Sequence, residues 1–161
     1  VKVNPKKLGV MLSAGVFVDV FLANWDVVGT GTGNIIVSDG SATRIDPGGA
    51  LTFRAQGGRK GQKFSGAAGE LKTMLDPSFG GAGDVLSYAD ASAAAKEFMS
   101  VPFSSVTSVI KSVHSSVSAD LKRHGMTGLL SEWDADVKEI ASKLKSRHSD
   151  IVKHAAAVTK G

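Results

Sequence analysis

Cysteine is absent from the 161 residues, which excludes disulfides, thiolate metal sites and cysteine nucleophiles and leaves the redox compartment open. No signal-peptide arrangement of charge, apolar run and small-residue cleavage site appears. Nor does any stretch reach the ~20 apolar residues of a transmembrane helix. The longest apolar run, Val10–Ala23, is shorter and carries Asp19. Internal repeats are missing, as is any Gly-x-Ser-x-Gly nucleophile elbow among the many serines, so a hydrolase triad has no support. His114, His124, His148 and His154 sit in helical or polar contexts without paired carboxylates at ligand spacing, which argues against a histidine metal site.

What is present is a globular balance. Hydrophobic residues make up 42% and charged residues 21%, values that exclude wholesale disorder and fit one compact domain over residues 1–161. A net charge of +4 gathers in residues 54–63 and 138–160. No nucleic-acid recognition module accompanies it, so the charge is expected to solvate surfaces. Residue 1 is Val rather than Met, which suggests a processing product or part of a longer polypeptide. Localisation is expected to be cytoplasmic or virion-associated, with no membrane partner.

The pattern predicts a mainly α, α+β chain. Residues 8–23 read as one helix that is apolar almost all round and hence central in the domain. Asp19 within it is expected to be a structural carboxylate paired with Arg44 or Arg54, because an unpaired buried charge is costly. Gly29, Gly31 and Gly33 predict a flexible loop, with no phosphate-loop motif of dinucleotide or Walker form. Ile35–Val37 and Ala42–Ile45 are strand candidates around Ser38-Asp39-Gly40, a strong hairpin signal since the turn needs positive φ.

Residues 57–69 predict an exposed loop, and Glu70–Leu75 a short helix stopped at Asp76-Pro77. Asp90 or Ser92 should cap a helix running to about Ser100. Val106, Val109, Ile110, Val113, Val117 and Leu121 keep helical spacing up to a stop at Gly125. Ser131 should cap a last long helix with Lys138, Lys143, Lys145 and Arg147 on its wetter side. Residues 90–158 thus form a helical part, and Trp25 and Trp133 are expected to anchor the core.

Chemistry concentrates in residues 8–56. Asp26, Asn34 and Asp46 lie in order on loops around the hairpin, directly after the apolar segment. Phosphoryl transfer needs a carboxylate near the attacking hydroxyl and oxygen ligands for the metal on the nucleotide phosphates. Asp26 suits the first role. Asn34 and Asp46 suit the second, since magnesium prefers hard oxygen ligands, and the glycines from Gly48 onward permit close backbone approach to phosphate.

Leu22-Ala23-Asn24-Trp25-Asp26, Asn34-Ile35-Ile36-Val37 and Arg44-Ile45-Asp46-Pro47-Gly48 together resemble the large lobe of atypical protein-kinase-like enzymes. Phosphatidylinositol kinases, actin-fragmin kinase and bacterial persistence-toxin kinases share this order of catalytic Asp, metal-binding Asn, strand and metal-binding Asp. The run from Asn24 to Gln56 is also similar to kinase-like modules of bacterial and phage proteins. The resemblance implies a short β-hairpin on a helical bundle, with Asp26 catalytic. It also implies that Asn34 and Asp46 bind Mg2+, and that Asn34, Asp46 and Gly48 face ATP. Asp26 and Asn34 stand farther apart than in those families, with three glycines between them, and Val27 and Val28 replace the usual basic neighbour. No segment supplies the small nucleotide-binding lobe, so an upstream domain of the same protein is an expected partner beside the nucleotide and its acceptor. The competing expectation is a non-catalytic structural or interaction module in which these residues support the fold.

Overall fold

The computed structural model describes residues 4–159. Helices dominate, and the only sheet among the described residues is a two-stranded antiparallel hairpin. The α+β, mainly α class expected from the sequence is what the chain adopts. No described helix is long and apolar enough to cross a membrane.

The apolar segment near the start is two short helices rather than one over 8–23. Helix α1, Pro5–Met11, starts at Asn4, whose side chain accepts from the Lys6 N–H at 2.9 Å, with Pro5 in the first turn. Helix α2, Val16–Phe21, follows a break at Gly15, whose φ of +85° suits glycine. The break has a purpose in the packing. Arg44 reaches into it and donates to the Leu12 and Ala14 carbonyls at 3.0 and 3.1 Å, groups that a continuous helix would have used internally. A side chain at position 15 would also crowd that guanidinium. Val16, Phe17 and Val20 are buried, whereas Val10 and Val18 face solvent, so the segment is not enclosed on all sides.

Strands β1, Ile35–Ser38, and β2, Ser41–Arg44, pair with Ile35 opposite Arg44. Asp39 and Gly40 both have positive φ, 50° and 79°, as the tight hairpin turn requires. Arg44 at the strand end also grips Asp19, through hydrogen bonds of 2.7 and 3.0 Å from Nε. Of the two arginines expected as partners, Arg44 is the one. This ion pair staples the hairpin to α2.

Beyond the hairpin the chain is irregular as far as α3, Leu71–Met74, followed by α4, Gly83–Leu86, which the sequence pattern did not indicate. Residues 57–69 are not simply an exposed loop. Phe64 and Ala68 sink into the core, and Lys60 and Glu70 are buried beside them. Helix α5, Ala91–Ser100, is capped by Asp90, whose carboxylate accepts from the Ala93 N–H at 2.9 Å. Helix α6, Phe103–Arg123, ends just before Gly125, as expected. Helix α7 runs from Leu130 to Val158, and a single 3₁₀ turn at Thr127–Leu129 leads into it, so Ser131 lies inside the helix rather than capping it.

Helix α2 is central. Phe17 and Phe21 pack against Phe98 of α5, with ring centroids 6.2 and 5.7 Å apart, and α7 closes the other side. The α7 residue at this junction is Arg147, which is fully buried and not on a wet face. Its five N–H groups each find an acceptor: Phe21 O at 2.9 Å, Val20 O, Ser65 O at 3.1 Å, Ala67 O at 2.6 Å and Glu70 Oε2 at 2.6 Å. The helical period could not signal this, because apolar spacing marks hydrophobic faces only.

Arg147→Met should therefore destabilise the protein by about 3–5 kcal/mol, since it leaves Glu70 buried without its counter-charge. Urea unfolding measures this, and a loss under about 1 kcal/mol contradicts the role. A second outcome concerns Asp19. Burial pushes its carboxyl up to about 6, against the pull of Arg44. Because this lies above the unfolded value of 3.8, the associated stability is complete below about pH 4 and is lost as pH rises past 6. Asp19→Asn should abolish that fall, which on this shift is on the order of 2–3 kcal/mol. Parallel pH–stability profiles for the two proteins would refute it.

Candidate functional site

Three turns meet at the C-terminal end of α2. After Leu22 the chain reverses through Ala23, which has φ of +53°, and presents Trp25 and Asp26. Residues Gly29–Gly33 then loop out around the 3₁₀ turn at Thr30–Thr32 and return at Asn34. The segment after β2 crosses back over the first turn, where the Leu51 N–H donates to Leu22 O at 2.6 Å.

Asn34 fastens the second turn to the first. Its Nδ2 donates to the Asp26 carbonyl at 2.6 Å, while its own backbone carbonyl accepts from Ile45 at 3.0 Å. The carboxamide lies so close over Gly29 that any side chain there would collide with it, and Gly29 has φ of +70°. The extra glycines between Asp26 and Asn34 thus bulge outward, and the two residues stay in contact. With Nδ2 used in this way, Oδ1 is left without a protein partner among the described residues.

Asp46 and Gly48 form a local turn, the Gly48 N–H donating to Asp46 Oδ1 at 2.9 Å. That amide is consequently engaged by the protein's own carboxylate. Gly49 is buried, and a Cβ on it would lie 3.2 Å from Asp26 Cβ and 3.1 Å from Asn24 Oδ1. Asp46 and Asp26 hence flank adjacent residues of one short backbone segment. All the residues singled out in the sequence, Asp26, Asn34, Asp46 and Gly48, belong to this one crossing of turns.

Lys60 is the member that sequence patterns missed. Its buried Nζ donates to Ala23 O at 2.6 Å and to Gly49 O, which ties the crossing segments together. The ammonium also sits 5.8 Å from the Trp25 ring centroid. Burial lowers its pKa from 10.5 to about 8, with the Glu70 carboxylate opposing the shift. A lysine in a glycine-rich loop carries no sequence signal for burial. Trp25, expected in the core, is instead 44% exposed; the turn at Ala23 swings it outward, and Lys60 and the cleft walls contact its ring. Trp133 is half-buried between α6 and α7.

Two clefts open on either side of Asp26 and Trp25. The larger, about 520 Å³, is walled by the Gly29–Thr32 bulge and by Gly81, Ala82 and Asp84. The smaller, about 270 Å³, is walled by Gly49, Arg54, Gln56, Lys60 and Lys63. Asp26 has no side-chain hydrogen bond among the described residues and lines both.

No family model, curated protein or solved structure matches the chain.

Could these residues hold a metal? Among the described residues, no three His, Cys, Asp or Glu side chains converge as a cage. The candidate donors are oxygens carried on these tied turns: Asn34 Oδ1, the Asp46 carboxylate and the Asp26 carboxylate. Asn24 Oδ1 is a further acceptor, buried against Gly49 without a partner. An all-oxygen set with one or two carboxylates suits magnesium held jointly with phosphate rather than by protein alone.

Since Asn34 works as a donor to a carbonyl, Asn34→Asp should be worse than Asn34→Ala. The aspartate keeps the oxygen but sets a negative group against the Asp26 carbonyl. Losses of about 1–3 kcal/mol are expected, larger for Asp than for Ala. Thermal melts with the order reversed, or with Asn34→Asp as stable as wild type, would contradict the assigned hydrogen bond.

Proposed function

We propose that the chain is the catalytic and metal-binding half of a magnesium- and ATP-dependent phosphotransferase, a kinase-like large lobe that works with an upstream nucleotide-binding lobe. The observation that carries this is the hydrogen bond from Asn34 Nδ2 to the Asp26 carbonyl. It spends the Asn34 amide nitrogen on the backbone of Asp26 and leaves an amide oxygen and a carboxylate without protein partners among the described residues, which supports the division of labour that phosphoryl transfer requires.

Asp26 is the group placed to orient an acceptor hydroxyl and take its proton at a carboxylate oxygen. Among the described residues it has no side-chain hydrogen bond, which leaves both oxygens available for that. Asn34 Oδ1 and the Asp46 carboxylate would hold Mg2+, which when bound supplies charge neutralisation on the phosphates. Asp46, already turned by the Gly48 N–H, offers its second oxygen outward. Lys60 holds the two carbonyls that fix the crossing and so positions Asp26 without contacting phosphate in this reading.

A non-catalytic interaction module is the second reading, and one feature favours it. Helix α6 has no buried residue, and Val109 and Val113 on it are 62% and 49% exposed. An apolar seam between α6 and α7 is thereby left open.

Calorimetric titration of magnesium–ATP into the chain, alone and together with any sequence that precedes it in its natural protein, separates the two. Binding that requires magnesium and weakens at least tenfold in Asp46→Ala is expected. Asp26→Ala should retain binding and lose transfer. Equal binding, or equal absence of binding, in wild type and Asp46→Ala overturns the phosphotransferase reading.

A further inference from the structure

The smaller cleft beside Asp26 has a composition that its structural duties do not explain. Three cationic side chains, Arg54, Lys60 and Lys63, line it together with the exposed face of Trp25. Arg59, on the same loop, is neutralised by Asp136 at 2.9 Å. Arg54 and Lys63 have no acidic partner among the described residues. Lys60 has three N–H groups and commits two of them, to Ala23 O and Gly49 O. The third has no protein acceptor among the described residues, at the floor of a cleft.

The walls are held in place. Arg59 fastens residues 53–59 to α7, and the Phe53–Arg59 bridge closes that loop on itself. Arg147 holds Ser65 O and Ala67 O at the other end, and the Ala68 N–H donates to Asp150 at 2.8 Å. A rim whose backbone is fastened at both ends spares the loop-ordering part of the cost of binding.

We propose that the cleft between Trp25 and the 54–63 loop binds a phosphorylated small molecule with a planar ring, its phosphate held by Arg54, Lys63 and Lys60 and its ring against the Trp25 indole. Phosphate matches the site because several oxygens can accept from separate cationic donors at once. The ring matches an exposed indole face, on which planar groups stack. A volume of about 270 Å³ suits a small molecule. The carboxylate of Asp26 at one end disfavours a longer polyanion. That the ligand's hydroxyl points at Asp26, which makes it the phosphate acceptor, rests on the phosphotransferase reading; the anion-and-ring site does not.

Trp25 is its own reporter. The chain has two tryptophans, so Trp133→Phe leaves Trp25 as the sole indole. Fluorescence of that variant is titrated, without magnesium or ATP, with phenyl phosphate, adenosine monophosphate, glycerol phosphate, inorganic phosphate and benzyl alcohol. Saturable quenching by the two ring-bearing phosphates is expected, at least tenfold tighter than by any of the other three. The tighter of the two identifies the preferred ring. Arg54→Glu and Lys63→Glu, both at exposed positions, should each weaken it at least tenfold with unchanged melting temperature. Lys122→Glu, at the end of α6, should not. Absence of saturable quenching, equal binding of glycerol phosphate, or indifference to both charge reversals overturns the site. Because neither magnesium nor ATP is present, this outcome is independent of the Asp46 titration.

Discussion

The fold hangs on one buried guanidinium. Arg147 lies where α2, the 65–70 segment and α7 converge, and its five donors meet four backbone carbonyls and one carboxylate. Burying a charge is tolerable only when every hydrogen-bonding valence is met, and here all of them are. The consequence is geometric. Val20 O and Phe21 O are the final carbonyls of α2; Phe21 O has no backbone partner among the described residues, as helix ends commonly leave such groups, and Val20 O accepts from Arg147 in addition to the Ala23 N–H. A cation at that end also suits the helix dipole. The same side chain thus finishes α2 and fixes where the chain turns toward Asp26.

Two other basic residues repeat the device. Arg44 satisfies Leu12 O and Ala14 O at the break before α2, and Lys60 satisfies Ala23 O just after it. A six-residue helix is too short to be stable by itself, and this one is supported by a cation at each end as well as by its apolar contacts. Of these three cations, Arg147 and Arg44 are matched by the buried carboxylates of Glu70 and Asp19, and Lys60 has no ion pair among the described residues. In the basic run of residues 54–63, Arg54, Lys60 and Lys63 line the cleft beside Asp26 without an ion pair among the described residues, whereas Arg59 is paired with Asp136.

Local signals in the sequence were reliable where the structure is local. Asp39-Gly40 specified the hairpin, Asp90 capped α5, and Gly125 followed the end of α6, because turn chemistry and helix caps act within a few residues. The Asp19–Arg44 pair was also legible, since a carboxylate in an apolar segment demands a partner. Hidden features were those in which a polar side chain joins distant backbone. The burial of Arg147 and Lys60 leaves no periodicity, and apolar spacing cannot distinguish one helix over 8–23 from two helices divided to receive Arg44. Trp25 faced outward for the same reason: its placement depends on the left-handed turn at Ala23 and on Lys60 beneath it.

The candidate site combines these two kinds of feature. Its residues were legible one by one as Asp, Asn and Asp around a hairpin, but the joining of the turns that carry them depends on long-range carbonyl capture by Lys60 and on the Asn34 amide. That dependence explains how three intervening glycines can be accommodated. A loop of variable length costs little when its ends are held independently, because closure entropy grows slowly with length. Asp26 is held from the α2 side by the Ala23 and Gly49 carbonyls on Lys60, and Asn34 is held from the hairpin side through Ile45. The Gly29–Gly33 bulge then forms a cleft wall without carrying the geometry. Asp26 is left between a glycine-walled cleft and a cationic one, with both carboxylate oxygens unclaimed. A carboxylate that merely supported the fold would be expected to spend at least one of them on the protein, as Asp19, Asp76 and Asp90 do; Asp46 spends one on its own turn and keeps only the other for a metal.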